Sequence, residues 1–146
     1  MTLSIHNTTD WEFSKLSRYG KEITAAVKKL VERFPNDLTL ESVAQEIIGG
    51  NQQLWLILEG EEFKAFVTSE IKVNEATGHK TVQLMELAGD GGIDLVPMIE
   101  TIEEWAISIG AHELTPMGRE GWRKPLGRAG YRPKLVLYSK DLTHGR

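Results

Sequence analysis

The sequence predicts an α/β domain built on a mixed sheet, and three observations carry that expectation. Apolar residues recur at three- and four-residue steps before residue 50 and again after residue 94, the period of amphipathic helices. Between them lie a continuous apolar run and two alternating stretches separated by turn residues, the pattern of strands. A glycine-rich loop separates these strands from the second helical stretch. The expected order is N-terminal helices, then a three-stranded antiparallel meander whose last strand opens a strand–helix–strand–helix–strand run. No repeat, low-complexity tract or linker interrupts residues 1–146, so they are read as one domain of ordinary length.

The first eighteen residues show no clear period. From Gly20 to Phe34 the positions Ile23, Ala26, Val27, Leu30, Val31 and Phe34 share one helical face, and Pro35 ends the helix. Leu40 to Ile48 is a second helix, with Thr39 as its N-cap and Gly49-Gly50 as its stop. Its expected apolar face is Leu40, Val43, Ala44, Ile47 and Ile48. Leu54-Trp55-Leu56-Ile57-Leu58 is too short for an independent helix and reads as a strand buried on both faces. After the turn at Glu59-Gly60-Glu61-Glu62, the residues Phe63, Ala65, Val67, Ile71 and Val73 fall on one side of a second strand. Phe66 interrupts its polar side. Asn74 to His79 forms the next turn and Lys80 to Ala88 a third strand.

The loop Gly89-Asp90-Gly91-Gly92 follows, then a helix from Asp94 with Leu95, Met98, Ile99, Ile102, Trp105, Ala106 and Ile109 on one face. Pro97 is tolerated in its first turn and Gly110 ends it. Glu113 to Met117 is a short strand, Glu120 to Ala129 a helix, and Leu135-Val136-Leu137-Tyr138 a last strand. The strand–helix–strand connection implies parallel neighbours within an otherwise antiparallel sheet.

Composition narrows the function. There is no cysteine, which excludes thiol catalysis and cysteine-ligated metal sites. The four histidines show no i, i+4 pairing, and no metal site is expected. No stretch approaches the length of a membrane span and no signal-like leader opens the chain, so a cytoplasmic protein is expected. The net charge of −4 hides an asymmetry: seven acidic residues and no Lys or Arg from Thr81 to Gly118, then six basic residues against one acid from Arg119 to Lys134. Overall acidity argues against a nucleic-acid binder. The basic stretch suits either a small anion or an ion-paired helix face.

Three segments carry a family resemblance. Leu54 to Gly60 followed by Phe63-Lys64-Ala65-Phe66, and Ile102 to Ala111, resemble the second and third strands and the end of the third helix of the GNAT superfamily of N-acetyltransferases. Gly118-Arg119-Glu120-Gly121-Trp122 with Leu126 and Gly130-Tyr131 resembles its closing helix and Gly-aromatic turn, in the form found in GNAT-like proteins of bacteriophage genomes. The resemblance runs from about Trp55 to Tyr138. It implies acetyl-CoA as cofactor, with its pantetheine paired to the edge of the Lys80–Ala88 strand. The pyrophosphate would rest on backbone N–H groups at a helix start, where unpaired donors and the positive dipole end favour anions. Leu87, Ala88, Gly89, Gly91 and Gly92 are the matching cofactor-binding residues, with Arg119 and Arg123 as nearby cations. Glu86 matches the position of a general base.

Two departures keep a second reading open. The loop lacks the family's Arg/Gln and glycine spacing and carries Asp90, and no tyrosine stands between Trp122 and Ala129, leaving the general acid unassigned. The first reading is an acyl-CoA-dependent N-acyltransferase acting on a small-molecule or protein amine. The second is a catalytically inactive GNAT-fold binding or virion-associated protein, which would act in the host cytoplasm if phage-encoded. A homodimer is compatible with both.

Overall fold

Leu54, Leu56 and Leu58 pack into one apolar cluster, and Trp55 and Ile57, between them in sequence, pack into another. Strand β2 (Gln53–Glu59) is thus buried on both faces, and the rest of the protein is arranged around that fact. The structure, a computed structural model, describes residues 2–89, 96–118 and 122–143, with the side chains of 86–89 excepted. Five strands form one sheet: β1 (Leu3–Asn7), β2, β3 (Glu62–Val73), β4 (Lys80–Gly89) and β5 (Glu113–Pro116), adjacent in that order. The first four are antiparallel neighbours, and β5 is parallel to β4.

Two helices cover one face. Ala26, Val27 and Leu30 of α2 (Gly20–Arg33) and Val43 of α3 (Leu40–Ile48) meet Leu54, Leu56, Leu58 and Phe66. The opposite face takes Ile99, Ile102 and Ala106 of α4 (Val96–Ser108), which pack on Trp55, Ile57, Ala65, Val67, Val82 and Leu84. Two short helices complete the chain, α1 (Phe13–Ser17) and α5 (Arg123–Arg128). Trp55 is 2% exposed and meets Trp105 edge-to-face at 5.3 Å. Its indole Nε1 donates to Ser69 Oγ at 2.9 Å, which satisfies a polar atom that burial would otherwise penalise. Among the described residues no helix is long and apolar enough to cross a membrane.

The mixed α/β architecture is the expected one, and the structure differs from the sequence reading in detail. The first segment forms β1, an edge strand whose register on β2 runs from Leu3↔Glu59 to Asn7↔Trp55. Its five residues have too little local pattern to announce a strand, and the pairing with β2 decides it. Phe63 was expected beside Ala65 and Val67 but packs with Phe66 instead. The β2–β3 register slips between Ile57↔Ala65 and Leu58↔Phe63, so Lys64 is an extra residue in a bulge and the alternation reverses there. Ile48, counted in the apolar face of α3, is 86% exposed in the helix's last turn. Gly89 closes β4 rather than opening the loop. The expected final strand, Leu135 to Tyr138, pairs with nothing in the sheet and is exposed.

Candidate active site

Strand β4 is ten residues long and β5 only four, and the site begins where the shorter strand stops. Their parallel register runs from Thr81↔Glu113 to Leu84↔Pro116. A last bond joins Met117 N–H to Leu84 O at 3.2 Å. Pro116 has no N–H to continue the ladder. On its other side β4 stays paired with β3 up to Ala65↔Gly89. Between Ser69↔Leu84 and Val67↔Leu87 it carries one extra residue, a bulge that bends the strand at the point of divergence. From Met85 to Gly89, β4 therefore has an edge that β5 does not cover.

A cavity of about 560 Å³ lies at this fork. Leu84 and Met85 line it from β4, and Pro116, Met117 and Gly118 from the end of β5. Leu30 and Arg33 of α2, with Phe34, Asp37 and Leu38 beyond it, line the part on one face of the sheet. Val67, Ile99 and Trp122 line the part on the other face, where α4 packs. The cavity thus passes through the sheet, which is open only because the two strands have separated. Gly118 shapes its wall: a Cβ there would lie 3.0 Å from Trp122 Cγ and 3.1 Å from Trp122 Cβ. Glycine at 118 is what lets the indole lie against the backbone four residues earlier.

Each residue singled out in the sequence has a definite status. The backbone of Glu86, Leu87, Ala88 and Gly89 runs along the uncovered part of β4, while their side chains lie outside the described residues. Asp90, Gly91, Gly92, Asp94 and Arg119 lie outside the described residues. Arg123 is the first residue of α5, directly after the cavity-lining Trp122.

Tyr131 sits on the far side of β5, in a separate groove. Its hydroxyl donates to Glu103 Oε2, and burial, reinforced by that carboxylate, pushes the phenol far above its ordinary range. It is a poorer acid for this environment. Tyr138 is 87% exposed. Glu113 accepts from His79 Nε2 at 3.0 Å and from Lys134 Nζ at 3.2 Å. Two histidines scattered in sequence come together, His79 stacking on His112 with ring centroids 5.3 Å apart. Among the described residues no cluster of three or more His, Asp or Glu side chains could hold a metal ion.

Arg33 and Asp37 are the site residues that the sequence did not reveal. Both fall at the polar end of α2, next to the helix-ending Pro35, where charged residues are ordinary surface. Only the packing of α2 on the sheet brings them to a fork some fifty residues away in the chain.

No protein-family model and no curated protein matches the sequence. The fold is similar to that of solved acetyltransferases across their full length. Glucosamine-6-phosphate N-acetyltransferase from Arabidopsis thaliana superposes with a TM-score of 0.67 at 16% identity, covering 97% of this chain and 99% of that one. An acetyltransferase from Trypanosoma brucei gives 0.68 at 14% identity, covering 97% and 100%. An aminoglycoside acetyltransferase from an uncultured soil metagenomic sample gives 0.65 at 12%, covering 98% and 100%. The class defined is the acetyltransferase fold, in agreement with the expected architecture. At such identities the likeness establishes the fold and leaves the chemistry to the site.

Proposed function

We propose that this chain is an acyl-CoA-dependent N-acyltransferase that transfers an acetyl group to an amine by direct attack. The observation that carries the reading is the cavity that crosses the sheet through the fork between β4 and β5. A donor arm can enter from one face and an acceptor from the other, meeting where the strands part. The residues present fit acetyl-CoA on two counts. The uncovered edge of β4 from Met85 to Gly89 offers backbone N–H and C=O groups to an amide-bearing arm. The fork itself is walled by Leu84, Met85, Met117 and Trp122, an apolar lining suited to an acyl thioester.

Bound acetyl-CoA supplies an acyl group activated toward amines. The protein's tasks are to hold the reactants in line and to manage one proton. The backbone of residues 85–89 orients the donor arm, and Gly89, Gly91 and Gly92 permit the close backbone approach that a pyrophosphate requires. Arg119 and Arg123 would add positive charge beside it. Glu86, on β4, would take the proton that the amine must lose. The acidic stretch from Glu86 to Glu104 favours a cationic amine. The acceptor is a small-molecule or protein amine.

Calorimetric titration with acetyl-CoA, beside desulfo-CoA and adenosine 3′,5′-bisphosphate, tests the reading. Micromolar binding that weakens at least tenfold in Gly91→Pro is expected. In turnover assays, Glu86→Gln should lower kcat by about 10²-fold or more and remove the acid limb of the pH profile. Absence of binding at millimolar acetyl-CoA would overturn the proposal in favour of a non-catalytic binding protein. That second reading draws on one observation: Tyr131, the tyrosine of the closing turn, is committed to Glu103 and lies outside the cavity.

A further inference from the structure

Among the described residues that line the cavity at the fork only two are charged, and their charges are opposite. Arg33 is the last residue of α2, and Asp37 follows four residues later. Both line the part of the cavity on the α2 side of the sheet. Pro35 ends the helix between them. The turn that follows is closed by Asp37 N–H and Leu38 N–H, which both donate to Phe34 O at 3.1 Å. On a continuous helix, residues of opposite charge four apart would pair; here the helix has stopped, and no ion pair joins them. Neither side chain has a hydrogen bond or ion pair among the described residues, and both are exposed. The rim of an otherwise apolar cavity thus presents one cation and one anion, each without a protein partner.

Such a rim over apolar walls is complementary to a zwitterionic head group on an aliphatic stem. In the acyl transfer proposed above, on which this inference rests, the donor's pyrophosphate lies before α4, and the part of the cavity lined by α2 is left for the acceptor. We propose that the acceptor is a free diamino acid, acetylated on the distal amine of its side chain. Arg33 holds its α-carboxylate and Asp37 its α-ammonium, while the stem passes Leu30 and Leu38 on its way to the fork. The surroundings sort the two amines. A carboxylate beside the α-amine favours its charged, non-nucleophilic form, whereas the apolar fork of Leu84, Met85 and Met117 favours the neutral form at the far end. The distal ammonium gives one proton to the base, and its nitrogen attacks the thioester carbon. The C–N bond forms as the C–S bond breaks, and the second proton goes to the departing thiolate. A simple diamine would leave Arg33 facing a cation, and a lysine within a peptide has neither charge of the head group. The diamino acid is a net cation, the sign that the acidic stretch from Glu86 to Glu104 favours.

Steady-state turnover with free ornithine and free lysine tests this. Each is set beside the diamine that lacks its carboxylate, the ω-amino acid that lacks its α-amine, and the doubly capped form that imitates a peptide residue. The diamino acid of better length should exceed all three in kcat/KM by about tenfold or more. Arg33→Gln should erase its advantage over the diamine, and Asp37→Asn its advantage over the ω-amino acid, with the loss falling on KM. Both positions are exposed, so the variants should melt as the wild type does. Tandem mass spectrometry of the product should place the acetyl group on the distal nitrogen. Equal use of the diamine or the capped form, acetylation of the α-nitrogen, turnover of none of these amines, or advantages that survive both substitutions would overturn the inference. With acetyl-CoA binding intact in calorimetry, those results leave the acyltransferase reading standing. Absence of acetyl-CoA binding would overturn both, so the two failures are distinguishable.

Discussion

Glu113 accepts hydrogen bonds from His79 Nε2 and Lys134 Nζ, joining three segments that are far apart in sequence. The bond from His79, then that from Lys134, holds its carboxyl below the ordinary range. The sign of the consequence follows from linkage. A carboxyl whose pKa is depressed on folding contributes stability at neutral pH, and that contribution is lost as pH falls from the unfolded value through the folded one. Glu113→Gln should therefore lower the melting temperature at pH 7 by a few degrees at most, since the site is open to solvent. The difference from wild type should shrink as pH falls below the unfolded carboxyl value and vanish once Glu113 is protonated in the folded chain as well. Thermal melts of both chains across that range check it, and a constant difference at every pH would refute it. Trp55 shows what the residue scale leaves legible. Its apolar neighbours in sequence announced burial, whereas the Ser69 hydroxyl that satisfies its indole came from the facing strand.

At the scale of elements, helices were read closely and strands less so. Thr39 was identified as an N-cap from its place before an apolar period. In the structure its Oγ1 accepts from Ser42 N at 3.0 Å while the Ser42 hydroxyl accepts from Thr39 N at 3.0 Å. Both hydrogen bonds of the box are exposed, so Thr39→Ala should cost about 1 kcal/mol, measurable by urea denaturation at unchanged m-value. A cap is a contact between residues three apart, and the sequence contains all of it. The meander was legible for a similar reason: Asn74 Oδ1 accepts from Ala76 N and Thr77 N, closing the β3–β4 turn within six residues. Pairing partners were not legible. The bulge at Lys64 moved Phe63 to the opposite face, β1 formed on an edge that β2 supplies, and Leu135–Tyr138 pairs with no strand among the described residues. Alternation measures a strand's faces only while its register is unbroken.

At the scale of the molecule, the decisive feature is a difference in strand length. Four residues of β5 against ten of β4 leave the sheet open over half of β4, and α2, α4 and the segment after β5 close around the gap to make the cavity. A bulky side chain at the fork should block it without disturbing the core. Met85→Trp is expected to melt within a few degrees of wild type and to lose acetyl-CoA binding by at least tenfold in calorimetry. Undiminished binding would place the donor elsewhere.

The sequence by itself determined the α/β class, the boundaries of α2 and α3, the doubly buried β2 and the cysteine-free chemistry, because each rests on composition or on contacts between near neighbours. Only the tertiary structure decided that β5 stops short, that Arg33 and Asp37 reach the fork, that Tyr131 turns to Glu103, and that Leu135–Tyr138 joins none of the described strands. Those are outcomes of register and packing between segments far apart in the chain. A local pattern carries no information about which distant edge a strand will meet, because that choice is made by the burial and hydrogen bonding of the whole sheet.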